Sequence, residues 1–295
     1  MGSSIDCAAS VVLCITLVAV LAAFLALTLR VGVRSFERLE REAPLAIVGK
    51  APMEAVYSAL QPVARLIVWL GISANGVTVS SLGFAALAAM FFALGHFGLG
   101  AVAACAAALA DAVDGLVARQ TQSVSRFGKL LDTTVDRYVE ALFLGGIAIY
   151  VHDTAWMLAL VLAALVGGFM VSYASAMLRE IGAPDVKAPM RRAERLTFLL
   201  AGAVLVPLVA SAVPDLDPAL QLLPLLVALG AIAVVGNVSA LRRVLAGARW
   251  SDESTSYEKT WPTSSRFLIQ RESVSVGGND ERRRSPRARC DADSV

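Results

Sequence analysis

The sequence predicts an all-α protein that crosses a membrane several times, and three observations carry that prediction. Of 295 residues, 57% are hydrophobic and 17% charged, and the mean hydropathy of +0.67 exceeds that of ordinary soluble domains. Uncharged stretches long enough to cross a hydrocarbon core recur along the chain. Lysine and arginine gather in alternate connections between them. With 26 basic and 24 acidic residues the formal charge is only +2, so bulk electrostatics suggests no nucleic-acid partner. Cys7, Cys14, Cys105 and Cys290 form no C-x-x-C pair and have no histidine neighbour, which indicates neither a disulfide framework nor a zinc site.

Taken in order, the first apolar run, residues 8–29, is uncharged. Its leader has no basic residue and the run is longer than the roughly 7–15 residues of a signal peptide, so a retained anchor is expected over residues 1–30. Residues 31–65 mix charge with Phe36, Leu39, Leu45, Ile47, Met53, Val56, Leu60 and Val63, which suits helices lying along the interface; a solvated connector fits residues 40–52 equally well. The long run 66–110 is interrupted at His96, Phe97 and Gly98 and is read as two spans. Residues 128–150 form the next, although they carry Lys129, Asp132, Asp136, Arg137 and Glu140. Residues 154–178, 196–214 and 218–241 complete a six-span core over 66–246. From about Trp250 the composition turns to Ser, Arg, Asp and Glu, so a disordered tail is expected over 247–295. Its basic cluster, Arg282 to Arg284 with Arg287, is either solvated or touches anionic lipid.

Basic residues fix the orientation, because short cytoplasmic loops collect Lys and Arg. Arg30, Arg34, Arg38, Arg41, Lys50, Arg65, Arg119, Arg126, Arg179, Lys187, Arg191, Arg192, Arg195, Arg242 and Arg243 all fall on one side. The opposite turns hold no Lys or Arg and include Asp153, Asp215 and Asp217. The N-terminus is therefore expected outside and the C-terminus in the cytoplasm of an integral protein, with the cell membrane as its expected location. Small residues on the spans permit a homodimer.

Carboxylates inside a membrane are costly and read as functional. Asp111 and Asp114 lie three apart at the expected cytoplasmic end of one span, and Asp132 and Asp136 four apart at the start of the next. Each pair occupies one helical face, and the short connection makes the two helices antiparallel neighbours. Four like charges brought together need cations among them. Oxygen-only ligands favour hard ions, Mg²⁺ or Mn²⁺, and two such ions balance four carboxylates in an arrangement suited to displacement at phosphorus. Gly115, Ala118 and Gly128 are small where helices and ligand must approach, and Arg119 sits at the mouth. Two other readings remain open on these residues: ion pairs of the aspartates with Arg119, Arg126 and Lys129, or an ion or proton relay in a transporter.

The pattern Asp111, Asp114, Gly115, Ala118, Arg119, then Gly128, Asp132 and Asp136 resembles the complete signature of the CDP-alcohol phosphotransferases, with all of its residues at the right spacing. The likeness covers about residues 50–246 and leaves the first span and the tail outside. It implies a membrane enzyme in which an acceptor hydroxyl attacks the β-phosphorus of a CDP-alcohol and CMP departs. By the same likeness Asp111, Asp114, Asp132 and Asp136 hold two metal ions, Asp136 is also the general base, and Gly115, Ala118, Arg119 and Ser125 contact the CDP moiety. The family often has Pro-Asn before its first shared span, with Thr or Ser three residues after the Asn; here Asn75 and Thr78 fit and Ala74 replaces the proline.

The acceptor is read from the loop before residue 196. Lys187, Arg191, Arg192 and Arg195 form a cationic cluster suited to an anionic acceptor, and the stretch from Arg192 to Leu196 looks like that of the phosphatidylinositol-phosphate synthases. Positive-inside anchoring is the plain alternative. The expected reaction is transfer of the phosphatidyl group of CDP-diacylglycerol to inositol 1-phosphate. Glycerol 3-phosphate or a phosphate-free polyol are the alternative acceptors.

Overall fold

A computed structural model describes the backbone of residues 4–31, 50–184 and 191–260, and the side chains of 4–19, 59–184 and 191–250. Every regular element in this part of the chain is helical: α1 Ser4–Val31, α2 Lys50–Trp69, α3 Ala74–Ala93, α4 Phe97–Gln120, α5 Arg126–Tyr150, α6 Ala155–Glu180, α7 Arg192–Ala212, the single turn α8 Pro218–Gln221 and α9 Leu223–Thr260. The chain divides into two units, residues 1–244 and 245–295. The first holds the bundle; the described part of the second is the end of α9.

Among the described residues, α3, α4, α6, α7 and the Leu223–Trp250 part of α9 are long and apolar enough to cross a membrane, so the chain is an integral membrane protein. Helix α5 is as long, at 25 residues, and carries Arg126 besides the five charges noted above.

The ends of the helices follow from local chemistry. Gly71 takes a left-handed conformation, φ +72°, which ends α2, and Ser73 then caps α3 by accepting a hydrogen bond from the Gly76 amide at 3.2 Å. Residues 66–69 therefore close α2, whereas hydropathy alone joins them to the next span. Ser125 caps α5 in the same way, accepting from Gly128 N at 2.9 Å. Asp217 caps the short α8 through Ala219 N at 2.7 Å, and α9 begins at Leu223 rather than at 218. Helix α9 also runs to Thr260, past the expected start of the tail near Trp250, with no proline between Trp250 and Pro262 to stop it. Residues 261–295, including the arginine cluster, lie outside the described part.

Helix α3 is the wall on which the site-bearing helices assemble. Its buried face, Val77, Thr78, Ser81, Ala85, Ala88 and Phe92, is small except at one end, and both α4 and α5 pack chiefly against α3, meeting one another only sparsely. The fit is close: a Cβ on Gly146 of α5 would lie 2.3 Å from the Ala89 carbonyl oxygen, and one on Gly100 of α4 would lie 2.4 Å from the Phe92 ring. Phe92 meets Phe143 edge-on at 6.4 Å, and Phe97 meets Tyr150 at 5.0 Å. Together these leave the far end of the bundle filled with apolar side chains and the signature end polar.

Helix α1, outside the signature region, packs on α2, α4 and α7. Asp6, 1% exposed, accepts a hydrogen bond from the Leu99 amide at 2.9 Å. It thereby caps the first turn of α4, which has no side-chain cap of its own from His96.

Candidate active site

The site lies where the C-terminal end of α4 meets the N-terminal ends of α3, α5 and α7. Helical periodicity aims Asp111 and Asp114 of α4 and Asp132 of α5 at a common point: one carboxylate oxygen from each lies within 4.8 Å of the others. Asp114 is the most buried, and Thr78 on α3 donates a hydrogen bond to its Oδ2 at 2.5 Å. Converging carboxylate oxygens without a sulfur or imidazole donor fit a hard divalent cation, with Thr78 orienting one ligand from behind.

Asp136, one turn beyond Asp132, stands beside this trio. Its Oδ1 lies 2.7 Å from Arg192 Nη2, a close charge contact rather than an aligned hydrogen bond, while Arg192 Nη1 donates to Asp111 Oδ2 at 2.9 Å. Arg192, the first residue of α7, thus pairs with both Asp111 and Asp136.

A second charged layer follows at the next turn of α5. Glu140 receives Arg195 through both Nε at 2.8 Å and Nη2 at 3.1 Å, and also accepts from Arg137 Nη1 at 2.9 Å. Arg137 Nη1 also reaches Ser172 Oγ on α6 at 2.7 Å. Glu140, Arg192 and Arg195 share the wall of one pocket, lined on its other sides by apolar residues such as Phe143, Leu196 and Ile232.

Of the remaining residues singled out from sequence, Asn75 and Ser125 come together at Gly128, where a Cβ would meet Ser125 Oγ at 3.1 Å and Asn75 Oδ1 at 3.4 Å. Gly115 and Ala118 are partly buried on α4, and Arg119 is exposed at its end. The Arg191 amide donates to Glu194 Oε2 at 2.8 Å, which fixes the first turn of α7. Lys187 lies outside the described residues. Glu140, Arg137, Ser172 and Gly168 join the site only through the fold, although Asp132, Asp136 and Glu140 recur at intervals of four, the spacing that keeps a helix face continuous.

Fold and site define a membrane-embedded protein with a carboxylate and arginine centre at one end of a helical bundle, equipped to hold a cation against a phosphorylated ligand. A family model described as CDP-alcohol phosphatidyltransferase matches residues 71–238. The chain belongs to the CDP-alcohol phosphatidyltransferase family and is a transferase, which decides against the transporter reading. It is 34% identical over 200 residues to a phosphatidylinositol phosphate synthase of Streptomyces avermitilis, covering 66% of this chain and 80% of that one. The crystal structure of the Mycobacterium tuberculosis phosphatidylinositol phosphate synthase with CDP-DAG bound matches with a TM-score of 0.56 and 25% identity, over 63% of this chain and 92% of that one. The same enzyme in complex with manganese and citrate matches equally well, at TM-score 0.56 and 25% identity over 63% and 88% of the two chains.

Proposed function

We propose that this transferase moves the phosphatidyl group of CDP-diacylglycerol to inositol 1-phosphate, releasing CMP at the cytoplasmic face of the cell membrane. Asp111, Asp114, Asp132 and Asp136 would hold two Mg²⁺ or Mn²⁺ ions, whose chemistry is to offset charge on the attacking and leaving oxygens. Asn75, Thr78, Gly115, Ala118, Arg119 and Ser125 face the CDP moiety. Lys187, Arg191, Arg192 and Arg195 take the acceptor phosphate, and Asp136 accepts the proton of the attacking hydroxyl at a carboxylate oxygen.

The observation that carries the reading is Arg192. A cation from the acceptor loop already touches Asp111 and Asp136 at 2.9 and 2.7 Å, so a phosphate bound by that guanidinium is delivered beside the base. Relatives named phosphatidylinositol phosphate synthase support an inositol-phosphate acceptor, and the structure with CDP-DAG bound supports the donor.

The test is CMP release by the purified protein with CDP-diacylglycerol and three acceptors in turn: inositol 1-phosphate, glycerol 3-phosphate and free inositol. Turnover should require a divalent ion and prefer inositol 1-phosphate. No metal-dependent CMP from any acceptor would overturn the reaction; preference for another acceptor would overturn the substrate. The Asp136→Asn protein should lose turnover while still binding CDP-diacylglycerol, and retained turnover would move the proton to another group.

A further inference from the structure

The fork that Glu140 makes to Arg195 is a demanding feature to place inside a membrane protein. Glu140 is 13% and Arg195 4% exposed at the side chain, and a buried carboxylate is retained only where it is well paired. Here it receives two arginines from two helices, and its Oε1 also abuts Gly168 of α6, where a Cβ would lie 2.5 Å away. The same Cβ would stand 3.3 Å from Arg195 Nε. Three helices therefore meet on one carboxylate, and position 168 has no side chain where the fork needs the space.

The direction of the fork matters. Glu140 engages the Nε and Nη2 side of Arg195, and a guanidinium is planar with five N–H groups in a fixed array. Holding one edge of the plane fixes where the other edge points. Arg195 lines the same pocket as Arg192, whose two nitrogens reach Asp111 and Asp136. A carboxylate placed one turn after the proton acceptor thus sets the aim of a phosphate-binding cation on another helix.

We infer that Glu140 and Gly168 are positioning residues for the acceptor: Glu140 orients Arg195 toward the phosphate of the incoming alcohol, and Gly168 leaves the room for it to do so. This rests on the acceptor-pocket reading above. It differs from a neutralising role, in which Glu140 would merely cancel charge and its loss would tighten an anion.

The test measures kcat and KM for inositol 1-phosphate and for CDP-diacylglycerol separately, on the full-length protein carrying Glu140→Gln, Gly168→Ala, both, or Arg195→Ala, with thermal unfolding in parallel. Glu140→Gln and Gly168→Ala, on different helices, should each raise the acceptor KM by about tenfold, the scale of one charge-assisted hydrogen bond. The KM for CDP-diacylglycerol should stay within about twofold, a split that separates the two substrates. The double variant should be little worse than either single one, because both break the same fork. A fall in acceptor KM for Glu140→Gln, or parallel losses in both KM values and unfolding temperature, would overturn the proposal. Should Glu140→Gln fail to fold, Gly168→Ala alone decides. Arg195→Ala separates the levels: if it leaves the acceptor KM unchanged, the pocket reading fails, whereas a raised KM there with normal values in the Glu140 and Gly168 variants removes only the positioning claim.

Discussion

Thr78 shows how a residue outside the charged set can govern it. Its hydroxyl donates to the most buried of the four aspartates, and such a partner both turns the carboxylate and removes a donor from competition with solvent. Thr78→Val keeps the shape and deletes the bond, so Mn²⁺ affinity is expected to fall by about 10- to 100-fold, read by electron paramagnetic resonance titration of the purified protein. An unchanged affinity would leave Thr78 with the nucleotide only. At this scale part of the site was legible: the three-residue spacing keeps Asp111 and Asp114 on one face of α4, and the packing of α4 and α5 on α3 brings Asp132 to them. The partners were less legible. Arg192 is 81 residues from Asp111 and Arg195 is 55 from Glu140, and no local rule ties such separations together. Glu140 is the third member of a four-residue series, but in the sequence it is one more charge in a charged span, and its partner Arg195 comes only with the fold.

Among the elements, α4 is held at both ends, by α1 at one and by the Thr78 to Asp114 bond at the other. Asp6→Ala removes a buried cap from its first turn and should cost about 1–2 kcal/mol of stability, within the range of helix caps and helix-dipole partners. The check is a lowered unfolding temperature in detergent with the KM values unchanged; an unaltered unfolding curve would make the cap energetically idle. Hydropathy located the apolar helices but not their joints. The break at Gly71 is a backbone event inside an apolar stretch, and α9 runs on to Thr260 after the composition has turned polar. The antiparallel adjacency expected of α4 and α5 also changes character: the two share α3 as a common wall, because the small face of α3 admits both.

For the molecule as a whole, the bundle brings several acidic groups to one end and answers them with arginines from α5 and α7. A ligand that binds only the folded state stabilises it by mass action. Millimolar Mn²⁺ should therefore raise the unfolding temperature of the wild-type protein, and the gain should shrink in Asp114→Asn. Equal gains in both would place the ion elsewhere. The membrane class and the family signature were readable from the sequence because each is a pattern in one dimension. The arrangement of charge around Glu140 was not, since it depends on three helices that are distant along the chain.

Gly98 carries one last consequence. A Cβ there would lie 2.2 Å from the Asp6 carbonyl oxygen and 2.6 Å from Ser10 Oγ, so α1 can seat only on a helix that is bare at that position. The two are matched in space: α1 in its present seat needs glycine at 98. Grafting α1 onto a relative with a side chain at the equivalent point would leave the added helix with nowhere to dock.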